Sequence, residues 1–232
     1  MAVWQLDNDI WFPDPRSAEK DGLLAVGGDL SVERLLLAYS NGIFPYFSFV
    51  LDDEPLWYCP MDRFVIFPNE IHISHSMKQL LKQNRYEVTF NKCFNAVIEG
   101  CSKAESRNME LGAWLGDDMI NAYQELHNQG YATSVEVWEK NSEDPSERKL
   151  VGGLYGVTIC NSFFGESMFS LVSNASKLAL IALANYLKDN GAVLIDCQFE
   201  TPHLLSMGGR HISYDEYIKL INEGYITKII AL

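Results

Sequence analysis

LVGGLYGVTICNSFFGESMFSLVSNASKLALIALANYLKDNGAVLIDCQ, from Leu150 to Gln198, decides how this chain is read. Leu150–Cys160 and Phe163–Phe169 are two apolar, strand-forming runs joined by Asn161-Ser162, the signature of a hairpin. Asn174–Asn190 is rich in Leu and Ala at helical spacing and is stopped by Gly191. Val193–Gln198 then forms a short, uniformly apolar run that ends in polar residues. Strand, helix and further strand predict a right-handed crossover in a mixed sheet. The last strand is expected at its centre, covered on both faces.

Strand alternation predicts that Asp196 and Gln198 share a face, at the carboxyl end where open α/β sheets bind ligands. Glu166 lies among Phe163, Phe164, Met168 and Phe169. A buried acid there needs a partner or a ligand. These three polar residues are the site candidates.

Upstream, Ser31 is placed to cap a helix reaching Asn41, ended by Gly42 and Pro45. The glycine-rich Gly22–Asp29 lacks the Lys-Ser/Thr of a phosphate loop and reads as a tight structural loop. Aromatics crowd Gly42–Ser48 and Trp57–Pro60, either as core or as the wall of an apolar pocket. Met61–Pro68 reads as the strand entering a second domain, giving the expected division 1–62 and 63–232. Ser74 caps a predicted helix to about Asn84, whose basic side carries His75, Lys78, Lys82 and Arg85. Further helices are expected over about Asn91–Cys101 and Asp117–Gln129, with a polar surface loop over Ser102–Gly112. A strand follows over Thr133–Trp138, a capping box at Ser213–Glu216, and an edge strand over Tyr225–Ala231.

The 232 residues are 47% hydrophobic and 12% aromatic, ample for a real core. Five cysteines without a C-x-x-C pair predict reduced core thiols rather than a secreted disulfide framework. His72 and His75 lack carboxylate or thiol companions at ligand spacing, so no metal is expected. Met1–Asp7 lacks a basic region followed by an apolar one, so a leader is not expected, and the longest apolar run, Leu178–Leu187, is too short for a bilayer. A soluble, cytoplasmic protein with no membrane partner is the expectation. A net charge of −13 argues against a nucleic-acid partner, but the segment from His72 to Lys92 has a locally basic helix that could touch phosphate.

Seven blocks together carry a resemblance: Gly22–Ser31, Gly42–Phe47, His72–Ser74, Val151–Val157, Gly165–Ser170, Asn174–Lys177 and Leu194–Gln198. Their order and content resemble the leucyl/phenylalanyl-tRNA-protein transferases over nearly the whole chain. The resemblance implies an α/β (α+β) architecture, a GNAT-like acyltransferase domain with a mixed sheet preceded by a smaller amino-terminal α+β domain. It implies transfer of Leu or Phe, less readily Met, from aminoacyl-tRNA to the α-amino group of proteins beginning with Arg or Lys. That transfer marks them for degradation. No cofactor is implied, and a monomer is expected.

By position, Asp196 and Gln198 match the family's catalytic pair, and Glu166 matches an acid near the 3′-terminal adenosine or the aminoacyl group. Tyr39, Phe44, Tyr46 and Trp114 match aromatics around the aminoacyl-adenosine. Leu154, Phe163 and Ile195 fall where the apolar side-chain pocket is implied, and His75, Lys78, Lys82 and Arg85 belong to the implied tRNA-binding helix. Aminolysis of an ester needs a neutral amine, a held carbonyl and a route for the proton. Gln198 is expected to hydrogen-bond the amine, with Asp196 orienting Gln198 and helping proton removal. The substrate's own hydroxyl is an alternative.

The chain departs from the family pattern with Tyr46 for Trp, Leu171 for Arg, and His75, Gln79 and Gln83 on a helix usually richer in Arg. Weaker or more salt-sensitive tRNA binding is expected to follow. The segment Gly209–Asp215 also drifts and receives no role. Two rival readings are a coenzyme A-dependent N-acyltransferase and a peptide-binding adaptor. Leu171–Ala175 lacks the first one's glycine-rich pyrophosphate cradle, and retention of Asp196 and Gln198 opposes the second.

Overall fold

A computed structural model describes residues 3–47, 54–106, 115–140, 147–159 and 161–223. The first elements are β1 (Trp4–Leu6), β2 (Leu23–Gly27), α1 (Val32–Ser40), β3 (Phe44–Phe47) and β4 (Pro55–Tyr58). The chain continues through β5 (Asp62–Ile66), α2 (His75–Lys82), β6 (Tyr86–Phe90), α3 (Phe94–Ser106) and α4 (Asp117–Asn128). Then come β7 (Ala132–Lys140), β8 (Arg148–Ile159), β9 (Ser162–Ser170), α5 (Ala175–Asp189) and β10 (Leu194–Asp196). It ends with α6 (Pro202–Ser206), β11 (Arg210–Ser213) and α7 (Tyr214–Glu223).

Among the described residues the strands form two sheets, one ordered β1-β2-β4-β3 and one ordered β11-β5-β10-β9-β8-β7-β6. The fold is therefore α/β with mixed sheets. β9 and β10 are parallel and linked through α5, while β10 pairs antiparallel with β5 on its other side. The short apolar run ending at Asp196 is thus a central strand, with all three residues buried. Leu178, Leu180, Ile181, Leu183 and Leu187 of α5 are buried in one cluster with Ile195, Phe163 and Leu154. A second cluster joins the sheets, running from Leu24 and Trp57 to Val65, Tyr155 and Phe164. At ~25 cal/mol per Å² of buried apolar surface, such side chains each contribute roughly 1.5–3 kcal/mol.

Local signals act where they were expected. Ser31 accepts from the Arg34 amide, Ser74 from Met77 and Ser213 from Glu216, each closing a helix start. Gly22–Asp29 is corrected: Leu23–Gly27 is a strand between β1 and β4, and the chain turns only at its two ends, with Gly22 at φ +94° before it and Gly27 and Gly28 at φ +85° and +74°. β6 and β11 were not anticipated, although Tyr86–Phe90 carries the aromatic and β-branched residues of a strand; they pair with β7 and β5. The expected loop after residue 101 is helical to Ser106. The expected edge strand over Tyr225–Ala231 lies outside the described residues, as does Trp114.

Candidate active site

A cavity of about 610 Å³ opens against β8, β9, α5 and the end of β10. Leu154, Phe163 and Ile195, expected as a side-chain pocket, all line it, joined by Met168, Leu180 and Leu183. Glu166 and Gln198 stand on the same wall. A ligand-sized apolar cavity with a few convergent polar groups is the usual form of a small-ligand site.

The placement of Glu166 follows from an irregularity in the hairpin. Tyr155 pairs with Ser167 and Gly156 with Gly165, so Glu166 is an extra residue on β9, a β-bulge. A bulge bends the strand and re-aims the extra side chain. Gly156 is required opposite it, since a Cβ there would lie 2.1 Å from the Phe164 carbonyl oxygen. The bulge directs Glu166 to two tyrosine hydroxyls. Tyr39 donates to Oε1 at 2.8 Å and Tyr123 to Oε2 at 2.5 Å. Both tyrosines are fully buried, and their own hydroxyl oxygens are 2.8 Å apart. Glu166 keeps partial exposure to the cavity, yet protein encloses its carboxylate. That burial pushes the carboxyl up to about 7, against the opposing pull of the two tyrosine hydrogen bonds.

Gln198 is reached by a different device. β10 ends at Asp196, and the Phe199 amide donates to the Cys197 carbonyl at 2.7 Å, a γ-turn centred on Gln198 at φ +63°. Strand alternation therefore no longer governs Gln198, and the expectation of a shared face with Asp196 is replaced by a strained turn. The Gln198 amide N–H donates to Asp196 Oδ1 at 2.9 Å, and its side-chain Nε2 donates to Glu166 Oε1 at 3.2 Å. Asp196 holds the backbone of Gln198, while Glu166 holds its side chain.

Asp196 itself is fully buried. Arg63 Nε lies 2.9 and 3.0 Å from its two oxygens and Arg63 Nη2 2.6 Å from Oδ2, while Tyr217 donates to Oδ2 at 2.7 Å. Arg63 is buried between the rings of Phe44 and Tyr217, 4.7 and 4.8 Å from their centres. Burial works against its charge, but Asp196 and then Tyr217 more than offset this and raise its pKa. Its Nη1 has no hydrogen-bond partner among the described residues, consistent with a guanidinium sandwiched by aromatics.

The remaining expected residues spread outward. Phe44 packs edge-on to Phe199, a cavity-lining residue, and Phe199 meets Tyr58, which meets Tyr46. Phe44 and Tyr46 thus reach the cavity mouth through an aromatic chain. His75, Lys78 and Lys82 are exposed on α2, whereas Arg85 lies past its end and pairs with Glu139 at 2.5 Å. None of the cavity-lining residues comes from α2. Arg63, Tyr123 and Tyr217 were missed. The one available signal was an arginine immediately before the apolar run Phe64–Phe67, and nothing marked the tyrosines.

Fold and cavity define an α/β protein with an acid-and-amide site beside an apolar pocket. Residues 65–222 match the family described as leucyl/phenylalanyl-tRNA protein transferase, and residues 28–61 match that family's N-terminal domain. A leucyl/phenylalanyl-tRNA–protein transferase of Flavobacterium psychrophilum is 47% identical, covering 94% of this chain and 99% of that one. One of Pseudomonas aeruginosa is 49% identical, covering 94% and 92%. This chain belongs to the leucyl/phenylalanyl-tRNA protein transferase family. A solved structure of FemX superimposes with a TM-score of 0.47 at 11% identity, over 73% of this chain and 60% of that one.

Proposed function

We propose that this protein is an aminoacyltransferase that moves Leu or Phe, less readily Met, from aminoacyl-tRNA to the α-amino group of proteins beginning with Arg or Lys, marking them for degradation. The observation that carries the reading is a single cavity lined both by apolar Leu154, Phe163, Met168, Leu180, Leu183 and Ile195 and by the polar pair Glu166 and Gln198. A Leu or Phe side chain suits the first, and the scissile ester and attacking amine suit the second. The Gln198 amide, held from Glu166 through Nε2, presents its oxygen to an amine N–H. Asp196 serves this geometry by fixing the Gln198 turn.

On this reading Tyr39, Phe44, Tyr46 and Trp114 surround the aminoacyl-adenosine, and His75, Lys78, Lys82 and Arg85 lie along the tRNA. Residues 1–62 and 63–232 form its two domains, and it acts as a monomer in the cytoplasm without a cofactor. Among the described residues no helix is long and apolar enough to cross a membrane. Transfer of labelled Leu and Phe from charged tRNA to an Arg-initiated peptide tests donor, acceptor and reaction together. Transfer is expected with the free amine and abolished when it is acetylated. Absence of transfer to the free amine refutes the function, and an undiminished rate in Gln198→Ala refutes the role of the amide.

A further inference from the structure

Three contacts among four oxygen atoms close a ring on the blind side of Glu166. The contacts are Glu166 Oε1 to the Tyr39 hydroxyl, that hydroxyl to the Tyr123 hydroxyl, and the Tyr123 hydroxyl back to Glu166 Oε2, at 2.8, 2.8 and 2.5 Å. Burial raises both tyrosines well above their ordinary values, so both keep their protons. Two neutral hydroxyls supply two protons to three contacts. While Glu166 is ionised, both hydroxyls donate to the carboxylate and the Tyr39–Tyr123 contact holds no proton. If Glu166 is protonated, Oε2 donates to Tyr123, Tyr123 to Tyr39 and Tyr39 to Oε1, and every contact is a hydrogen bond.

The ring is one proton short and Glu166 faces the cavity where a proton has to be taken. Resting on the aminoacyl-transfer reading above, we infer that Glu166, backed by Tyr39 and Tyr123, is the catalytic residue that accepts the proton of the attacking amine. Asp196 is a positioning residue. Its oxygens are already filled by Arg63, Tyr217 and the Gln198 amide, and it does not line the cavity.

The step balances. The lone pair of the neutral α-amine forms the new C–N bond at the ester carbonyl carbon, and the amine's proton passes to the Glu166 carboxylate. The C–O bond to the 3′-terminal ribose breaks with its electron pair on oxygen, and Glu166 returns the proton to that oxygen. The peptide amide and a free ribose hydroxyl are the products, and the carboxylate is regenerated. Gln198 stands beside Glu166, its Nε2 donating to Oε1, so that its amide oxygen is left to hold one amine N–H while Glu166 takes the other proton.

The charged and titratable groups around Glu166 agree with a group that exchanges protons in the working range. Tyr39 faces it from α1, Tyr123 from α4, and Asp196 and Arg63 act on it from β10 and β5 in opposite senses. The carboxyl, pushed up to about 7 chiefly by burial, is ionised on the alkaline side and competent as a base there.

The test is the pH dependence of kcat/KM for Phe transfer from charged tRNA to an Arg-initiated peptide. Below about pH 7 the parent should fall with a slope of about two, one proton for the acceptor amine and one for Glu166. Glu166→Gln should fall with a slope of about one and lose ~10²–10⁴-fold in kcat, and Glu166→Asp should restore the second proton. A slope of two retained in Glu166→Gln overturns the proposal. Binding of a non-hydrolysable phenylalanyl-adenosine amide shows whether Glu166→Gln keeps its cavity. If it does not, Tyr123→Phe decides: removal of the shortest donor to the carboxylate should move the acidic limb upward, and a limb that fails to do so also overturns it. A parent protein that transfers nothing from either charged tRNA instead removes the underlying function.

Discussion

Asp196 and Glu166 are linked through one glutamine, yet their surroundings differ in what they permit. Asp196 is fully buried, flanked by an arginine, a tyrosine and a main-chain N–H, and stands behind the cavity wall. Glu166 faces the cavity and is held by two tyrosines whose protons are one too few for the contacts they make. The first arrangement holds a charge in place, and the second leaves room for a proton. Two carboxylates near one reaction centre can thus divide structural and proton-transfer work through environment alone.

The comparison can be broken most severely at Arg63. Arg63→Ala leaves Asp196 buried without its cation, and removing one partner of such a pair costs about 3–5 kcal/mol. Urea unfolding should show a destabilisation of that size, and one below about 1 kcal/mol would mean that Asp196 is not held as described. Glu166 should behave in the opposite way. Its folded-state pKa is raised from 4.5 to about 7, so its contribution to stability is fully present below the unfolded value and is lost as pH rises through the folded one. Between those limits the parent should lose roughly 3 kcal/mol that Glu166→Gln does not lose, read as converging urea midpoints at acid pH and diverging ones at alkaline pH.

Smaller effects belong to the apolar lining and the distant basic helix. Leu183→Phe narrows the cavity and should shift the ratio of kcat/KM values toward Leu over Phe by ~1–3 kcal/mol, measured with the two charged tRNAs in competition. An unchanged ratio would remove Leu183 from the side-chain pocket. Lys78→Ala with Lys82→Ala should lower the slope of log affinity for tRNA against log salt by about one for each phosphate no longer neutralised, without changing the Leu-to-Phe ratio.

Much of this arrangement was legible in the sequence where local rules apply. The hairpin of β8 and β9, the α5 crossover and the capping serines 31, 74 and 213 depend on periodicity, turn residues and hydrogen bonds within a few positions. Glu166 stood out as an acid among bulky hydrophobics, but the bulge that aims it depends on register across the hairpin. Gln198 was placed by alternation, which stops at Asp196 because the chain turns there at φ +63°. Arg63, Tyr123 and Tyr217 come to the two carboxylates from 133, 43 and 21 positions away. Contacts at such separation leave no periodic trace, so the filling of Asp196 emerged only from the fold, whereas β6 had a strand-forming composition in Tyr86–Phe90 that went unread.

The contrast between the two acids is tested most directly by carbon-13 NMR of the labelled glutamate side chains in the parent protein, with Glu166→Gln identifying the resonance. The Glu166 carboxyl should titrate with a midpoint near 7. A midpoint in the ordinary carboxylate range near 4.5 would contradict the account, since the acid facing the cavity would then hold its charge as firmly as any surface glutamate.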